Sequence, residues 1–177
     1  MRVIGLAGWS GAGKTTLLTR VIPELRSRGV SVSTIKHAHH KFDIDMPGKD
    51  SWAHRMAGAQ EVLIASRNRW ALMRELSDEP EWNLRDLIGK LGNVDLVIVE
   101  GFKTGSHPKI EVFRSANGKP MLHPIDRDIV AVASDLPIAG AKIPVVHLDD
   151  TAGIADLILQ YSSDAGALFD AASAMDG

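Results

Sequence analysis

Short apolar runs alternate along this chain with segments whose apolar residues recur every three or four positions. The runs, bounded by turn residues, are typical of strands, and the longer spacing is typical of amphipathic helices. The predicted strands cover residues 3–7, 30–35, 62–65, 70–73, 96–99, 110–113, 129–133 and 145–146. The predicted helices cover 15–28, 51–58, a segment that starts after Asp78 and stops before Gly92, and a last one from Asp149-Asp150 to Tyr161.

The order of these elements predicts the fold class. Strands that alternate with amphipathic helices form an α/β fold around a mainly parallel sheet. Residues 96–99 are apolar without interruption, as expected of a parallel strand buried on both faces. The strands at 62–65 and 70–73 flank a short turn and belong to no βαβ unit, so we expect an extra antiparallel hairpin at the edge of the sheet.

Composition narrows the function classes. The chain has 177 residues, of which 45% are hydrophobic and 24% charged, which suits a packed globular domain and argues against disorder. Lys and Arg total 20 against 22 Asp and Glu, a balance that argues against a nucleic-acid binder. No apolar run approaches the ~18 residues of a membrane span, so no membrane partner is expected. The lack of Cys excludes disulfides and thiolate sites and favours a cytoplasmic location.

The strongest motif follows the first predicted strand and opens the first helix. It reads G-x-x-x-x-G-K-T, a complete Walker A sequence, which we call the phosphate loop. Glycines let backbone N–H groups converge on phosphate oxygens, the Lys14 ammonium bridges β- and γ-phosphates, and the Thr15 hydroxyl binds Mg²⁺. The predicted nucleotide-binding residues here are Gly8, Trp9, Ser10, Gly11, Ala12, Gly13, Lys14, Thr15 and Thr16. The fold class is therefore a P-loop NTPase-like three-layer fold with a mainly parallel central sheet.

Two carboxylates at strand ends complete the predicted nucleotide site. Glu100 follows the apolar run 96–99 and is expected to reach Mg²⁺ directly or through water, which makes it, with Lys14, a candidate catalytic residue. Asp95 stands at the opposite end of that strand. Asp135 follows the strand at 129–133 and is our candidate for reading the base of the nucleotide, although an ordinary turn residue before Leu136-Pro137 explains it equally well.

The polar segment after the second strand is a candidate switch or substrate loop. Its charged and imidazole side chains are Lys36, His37, His39, His40, Asp43, Asp45, Lys49, Asp50 and Arg55. Three imidazoles within four positions suit Zn or Ni, so a metal site is one interpretation. The other is that they are polar loop residues near an anionic ligand. The carboxylates could sense the γ-phosphate, and the cations could bind a phosphate, while a solvated loop of mixed charge is the alternative.

These motifs together resemble the MobB family, the molybdopterin-guanine dinucleotide biosynthesis protein B. The resemblance extends to about residue 159. The motifs that carry it, besides the phosphate loop, are Ile35-Lys36-His37-Ala38-His39-His40, Asp45-Met46-Pro47-Gly48-Lys49-Asp50-Ser51, His54-Arg55 with Ala57-Gly58-Ala59, and Val99-Glu100-Gly101-Phe102-Lys103. The phosphate loop alone is generic, whereas the loop and the Glu100 motif are specific.

The resemblance implies a GTP-binding accessory protein with weak GTPase activity at most, and the base that Asp135 is expected to read is then guanine. Such a protein would assist a partner enzyme, MobA, that joins GMP to molybdopterin and so forms the guanine dinucleotide of the molybdenum cofactor. Taken by themselves the residues indicate only a Mg²⁺–nucleoside triphosphate. A small-molecule kinase, with Asp43 or Asp45 as acceptor base, and a metal-chaperone GTPase that uses His37, His39 and His40 therefore stay open.

For domain organisation we expect one nucleotide-binding domain over residues 1–161 and a frayed segment over 162–177. The strands at 62–65, 70–73 and 110–113 are expected at a sheet edge, where unpaired N–H and C=O groups need a cover. A second copy provides that cover through one two-fold interface, and the resemblance likewise implies a homodimer. The alternative is a monomer whose final segment folds back over the edge.

Overall fold

The structure, a computed structural model, describes residues 1–38, 42–102 and 105–173, with side chains as far as residue 170. The strands are β1 Arg2–Ala7, β2 Val32–Lys36, β3 Glu61–Ala65, β4 Trp70–Arg74, β5 Leu96–Glu100, β6 Lys109–Phe113, β7 Ile129–Ser134, β8 Val145–His147 and β9 Ser163–Asp164. The helices are α1 Lys14–Ser27, α2 Asp50–Met56, α3 Leu84–Ile88, α4 Thr151–Tyr161 and α5 Ala165–Ser173, with a 3₁₀ turn at Ser115–Asn117. His39, His40 and Lys103 lie outside the described residues.

The chain divides into two compact units. The first contains Met1–His37 and the described residues from Leu84 onward, and the second lies within Ala38–Asn83. In the described part of the chain no helix is long and apolar enough to cross a membrane.

The first unit is built on one sheet with strand order β2-β5-β1-β6-β7-β8, in which all neighbours are parallel. Its two faces are covered by different helices. Ile4 and Ile98 belong to a core with residues of α1 and α4, whereas Val3 and Val97 belong to a second core with residues of α3 and α5. The predicted three-layer α/β fold with a mainly parallel sheet is therefore confirmed.

Strand β6 corrects the prediction of an edge strand at 110–113. It lies inside the sheet, between β1 and β7. Residues 110–113 belong to no βαβ unit that the sequence shows, yet β6 pairs parallel on both sides. Three polar residues on or just before this strand are buried, His107, Lys109 and Glu111. Lys109 Nζ forms ion pairs with Asp126 and Asp128 at 3.2 and 3.3 Å, which offset the cost of burying its charge.

Three further parts of the chain differ from the sequence prediction. β3 and β4 pair antiparallel as expected, but they form a separate two-stranded sheet and not an edge of the central one. Part of the segment predicted to be frayed is ordered, because β9 pairs antiparallel with β1 and the Ala165 N–H donates to the Met1 carbonyl at 3.0 Å.

α3 is shorter than the predicted helix, since Glu79 lies in a turn and its carboxylate binds Arg74.

Candidate functional site

The phosphate loop connects the carboxyl end of β1 to the first turn of α1. Its backbone turns through left-handed conformations at Gly8 (φ 145°), Gly11 (φ 82°) and Gly13 (φ 95°), which L side chains rarely adopt. Gly8 is also constrained by packing, because a Cβ there would lie 2.6 Å from the Val112 carbonyl oxygen of β6. The glycines of the motif are thus required by the conformation that the loop adopts.

Lys14 is the first residue of α1, and its side chain folds back over the loop. The ammonium Nζ donates to the carbonyl oxygens of Gly8 and Trp9 at 2.9 and 3.1 Å. These contacts hold a positive charge over the loop, next to the positive end of the α1 dipole. Both the ammonium and the dipole would attract phosphate oxygens bound at the loop. Thr15 and Thr16 follow in the first helical turn, and both are exposed.

A segment after β6 lies against the phosphate loop, a contact that the motif does not reveal. We call residues 114–123 the loop clamp. Asn117 Nδ2 donates to the Ser10 carbonyl at 3.0 Å, and the Trp9 indole N–H donates to the Pro120 carbonyl at 2.8 Å. Lys119 Nζ lies 6.0 Å from the centre of the Trp9 ring. Trp9 is therefore a docking contact for the clamp.

Sequence reasoning missed the clamp, because its polar residues match no nucleotide-binding motif and follow a strand that was placed at an edge. The parallel order of β1 and β6 is the signal that could have found it. Neighbouring parallel strands bring the segments after their carboxyl ends together.

Glu100 ends β5, and its neighbours in the sheet are Leu6 of β1 and Lys36 of β2. It is half-buried at the carboxyl edge, the edge on which the phosphate loop begins. Asp95 stands at the other end of β5, where its carboxylate accepts from the Ser31 N–H and hydroxyl at 2.8 and 2.6 Å. The placement of the two carboxylates thus agrees with the choice of Glu100 over Asp95.

The two motifs around Glu100 and His37 meet in space. The His37 N–H donates to the Glu100 carbonyl at 2.8 Å, and the His37 and Phe102 rings lie 4.7 Å apart. A Cβ on Gly101 (φ 99°) would approach the His37 carbonyl to 2.6 Å, so glycine is needed at this position. Lys36, at the end of β2, is exposed.

Asp135 directly follows β7 and is half-buried. Its two carboxylate oxygens accept from the Ser115 N–H and hydroxyl, both at 2.8 Å. Chiefly the Ser115 backbone N–H holds the pKa of the Asp135 carboxyl below its usual range. The residue therefore anchors the 3₁₀ turn of the loop clamp, and its assignment as a guanine reader stays a prediction.

The other residues of the predicted switch loop belong to the second unit. Arg55 of α2 forms ion pairs with the carboxylates of Asp43 at 2.7 Å, Asp45 at 3.5 Å and Glu75 at 3.0 Å. Lys49 and Asp50 begin α2 and are exposed. Arg55 is thus surrounded by carboxylates of its own unit. The Ser51 hydroxyl also donates to the Asp45 carboxylate, at 2.8 Å.

Of the three histidines in the predicted metal site, the structure describes His37. Of the residues that the structure describes, no group of three or more His, Cys, Asp or Glu side chains could hold a metal ion. His39 and His40 lie outside those residues.

Comparison with known proteins identifies the family. The sequence model of "Molybdopterin guanine dinucleotide synthesis protein B" matches residues 3–135. The chain is 43% identical over 162 residues to the molybdopterin-guanine dinucleotide biosynthesis adapter protein of Escherichia coli (strain K12), covering 90% of this chain and 92% of the relative. It is also 43% identical to the adapter protein of Haemophilus influenzae over 139 residues, covering 77% and 76% of the two chains.

Solved structures agree with this assignment. A crystal structure of molybdopterin-guanine biosynthesis protein B matches with a TM-score of 0.69 and 33% identity, covering 89% of this chain and 98% of that one. The Bacillus subtilis MobB structure, at 21% identity and a TM-score of 0.72, supports the fold alone. None of these relatives is named as a kinase or a metal chaperone, so those two alternatives gain no support. The chain belongs to the molybdopterin-guanine dinucleotide biosynthesis protein B family.

Proposed function

We propose that this protein binds GTP at the phosphate loop and acts as an adapter in the synthesis of molybdopterin guanine dinucleotide, where it assists the attachment of GMP to molybdopterin. The observation that carries the proposal is the complete phosphate loop, with the Lys14 ammonium held over the loop at the start of α1. The adapter names of relatives at 43% identity supply the pathway. The proposed partners are molybdopterin and the guanylyltransferase MobA, in the cytoplasm.

The donor set near the loop suits a magnesium ion. The Thr15 hydroxyl and the Glu100 carboxylate are oxygen ligands, which Mg²⁺ prefers, and they belong to elements joined to the neighbouring strands β1 and β5. Mg²⁺ bound there would neutralise charge on the phosphates. Lys14 and the loop N–H groups bind the phosphate oxygens, and Asp135 is proposed to read the base.

Turnover is proposed to be weak. Hydrolysis of a γ-phosphate is fast where a Gln or Arg side chain orients water or stabilises charge, which contributes roughly 10³–10⁵ in rate. The sequence motifs assign neither a Gln nor an Arg side chain to the γ-phosphate, and an adapter requires binding more than turnover. Release of phosphate by the purified protein is therefore expected to be much slower than the ~1–100 s⁻¹ typical of kinases.

The proposed homodimer forms through the hairpin of β3 and β4. Leu63, Leu72 and Trp70 lie on one face of this hairpin, and each is about half exposed or more, at 62%, 47% and 67%. An isolated two-stranded sheet is marginally stable in water, and an exposed apolar face marks an interaction site. A second copy brings an identical face, which is self-complementary around a two-fold axis.

Calorimetric titration with GTP and Mg²⁺ tests the nucleotide proposal. Lys14→Ala is expected to weaken GTP binding at least tenfold, because a charge-assisted contact to the phosphates is lost. Lys142→Ala, which removes an exposed lysine of the same unit, serves as the matched control and is expected to bind like the wild type. Unchanged affinity in Lys14→Ala would exclude the phosphate loop as the binding site. Rapid transfer of phosphate to an acceptor, followed separately from free phosphate, would favour the kinase.

A further inference from the structure

Arg114 is the first residue of the loop clamp, and its guanidinium lies beside the phosphate loop. A Cβ built on Gly13 would be 3.5 Å from Nη2 and 3.7 Å from Nε of Arg114. Gly13 immediately precedes Lys14, so this is the point at which the loop backbone turns into α1. The sequence gives no sign of this contact, because Arg114 is about 100 residues from the phosphate loop and matches no motif.

The position of Arg114 is fixed from several sides. Hydrogen bonds from Asn117 to the Ser10 carbonyl and from Trp9 to the Pro120 carbonyl tie the clamp to the loop. The far end of the clamp is tied to the core, since the buried carboxylate of Glu111 accepts from the Leu122 and His123 N–H groups at 2.6 and 2.9 Å. A guanidinium on such a segment is held near the loop in advance of any ligand, which lowers the ordering cost of binding.

The carboxylates in reach of Arg114 already have other partners. Asp135 accepts two hydrogen bonds from Ser115. Asp149 forms an ion pair with Arg20 at 2.9 Å. The charge of Arg114 helps to lower the pKa of both carboxyl groups. Among the residues that the structure describes, however, neither carboxylate hydrogen-bonds its guanidinium. Its donors and its charge are therefore left for an anion at the loop.

We propose that Arg114 binds the phosphates of the nucleotide as a second cation beside Lys14. The proposal rests on GTP binding at the phosphate loop and extends it. A nucleoside triphosphate carries several negative charges, of which one lysine balances one. The planar guanidinium donates two parallel hydrogen bonds to phosphate oxygens, a geometry that the Lys14 ammonium does not offer. Arg114 thus raises affinity for the phosphates and leaves base selection unchanged.

The test compares Arg114→Ala, Arg114→Lys and Arg127→Ala in the full chain by calorimetric titration with GTP and Mg²⁺ at two salt concentrations. Arg127 is an exposed arginine of the same β6–β7 connection and provides the matched control. Arg114→Ala is expected to weaken GTP binding about tenfold and to reduce the salt dependence of the affinity, because one charge-assisted contact is lost. Arg114→Lys is expected to restore part of the affinity, and Arg127→Ala to bind like the wild type.

Three outcomes overturn the proposal. If Arg114→Ala binds GTP like the wild type while Lys14→Ala does not, Arg114 has no phosphate contact and the proposed GTP function stands. If Arg114→Ala and Arg114→Lys weaken binding equally with the salt dependence of the wild type, the side chain packs the loop and binds no phosphate. If the wild type itself shows no GTP binding, the proposed function and this extension fail together.

Discussion

The phosphate loop of the first unit and the hairpin of the second unit present their functional side chains by different means. At the loop, backbone conformation and packing against β6 fix the geometry, as the left-handed Gly8 against Val112 illustrates. In the second unit, ion pairs of Arg55 and Arg74 hold the surroundings of a hairpin whose apolar face is exposed. In the first unit, packing thus sets the geometry of the loop, whereas the second unit leaves exposed the apolar hairpin face that we propose as the dimer interface.

The largest expected effect follows from a single methyl group at the loop. In Gly8→Ala the new Cβ meets the Val112 carbonyl at 2.6 Å in a backbone conformation that alanine avoids. We expect GTP binding to fall below detection and the free energy of unfolding to drop by about 1–3 kcal/mol. Calorimetry and urea unfolding measure the two effects.

Gly140→Ala separates the effect of backbone strain from that of the steric clash with Val112. Gly140 also has a positive φ, of 73°, but a Cβ there meets nothing within 4 Å. This control is expected to lose some stability and no GTP affinity. If Gly8→Ala binds GTP as well as Gly140→Ala does, the loop tolerates rearrangement, and packing against β6 does not fix the geometry of the site.

The extent to which the sequence predicts each region follows from the same contrast. The phosphate loop is predictable because its chemistry depends on backbone turns that only particular residues allow, and Glu100 because an uninterrupted apolar run ends there. The loop clamp is not predictable, since Asn117 and Pro120 meet the loop through the pairing order of strands that are distant along the chain. The interior position of β6 was missed because residues 110–113 belong to no βαβ unit that the sequence shows, although Ile110 and Val112 are fully buried.

A buried histidine makes the stability of the first unit depend on pH, and an exposed histidine of the second unit provides the comparison. Burial, helped by the Lys109 ammonium, lowers the pKa of His107 to about 4, against the opposing effect of Asp128 and Asp126. The imidazole therefore stays neutral in the folded protein at a pH where the unfolded chain is protonated. Its stabilising effect is complete above pH ~6.5 and is lost as the pH falls toward ~4, by about 3 kcal/mol in all.

His107→Gln tests this dependence, since glutamine does not titrate. The free energy of unfolding, measured by urea between pH 7 and pH 4, is expected to fall by about 3 kcal/mol less in the variant than in the wild type. His54→Gln removes an exposed histidine of the second unit and is expected to keep the wild-type slope. Parallel pH profiles for all three proteins would show that His107 is protonated without cost, contrary to its burial.

The smallest expected effect concerns the hairpin, and it decides whether that region needs a partner. Leu63 is 62% exposed, so Leu63→Glu leaves the folded monomer intact and places two like charges in a two-fold interface. We expect the dimer dissociation constant, from light scattering over a concentration series, to rise at least tenfold while GTP affinity stays unchanged. Ile125→Glu, at 82% exposure in the first unit, is the matched control and is expected to keep the dimer. A wild-type mass near 19 kDa at all concentrations would contradict the dimer. Equal loss of the dimer in both variants would contradict the hairpin interface, because the effect of the charge would then not depend on its position in the hairpin.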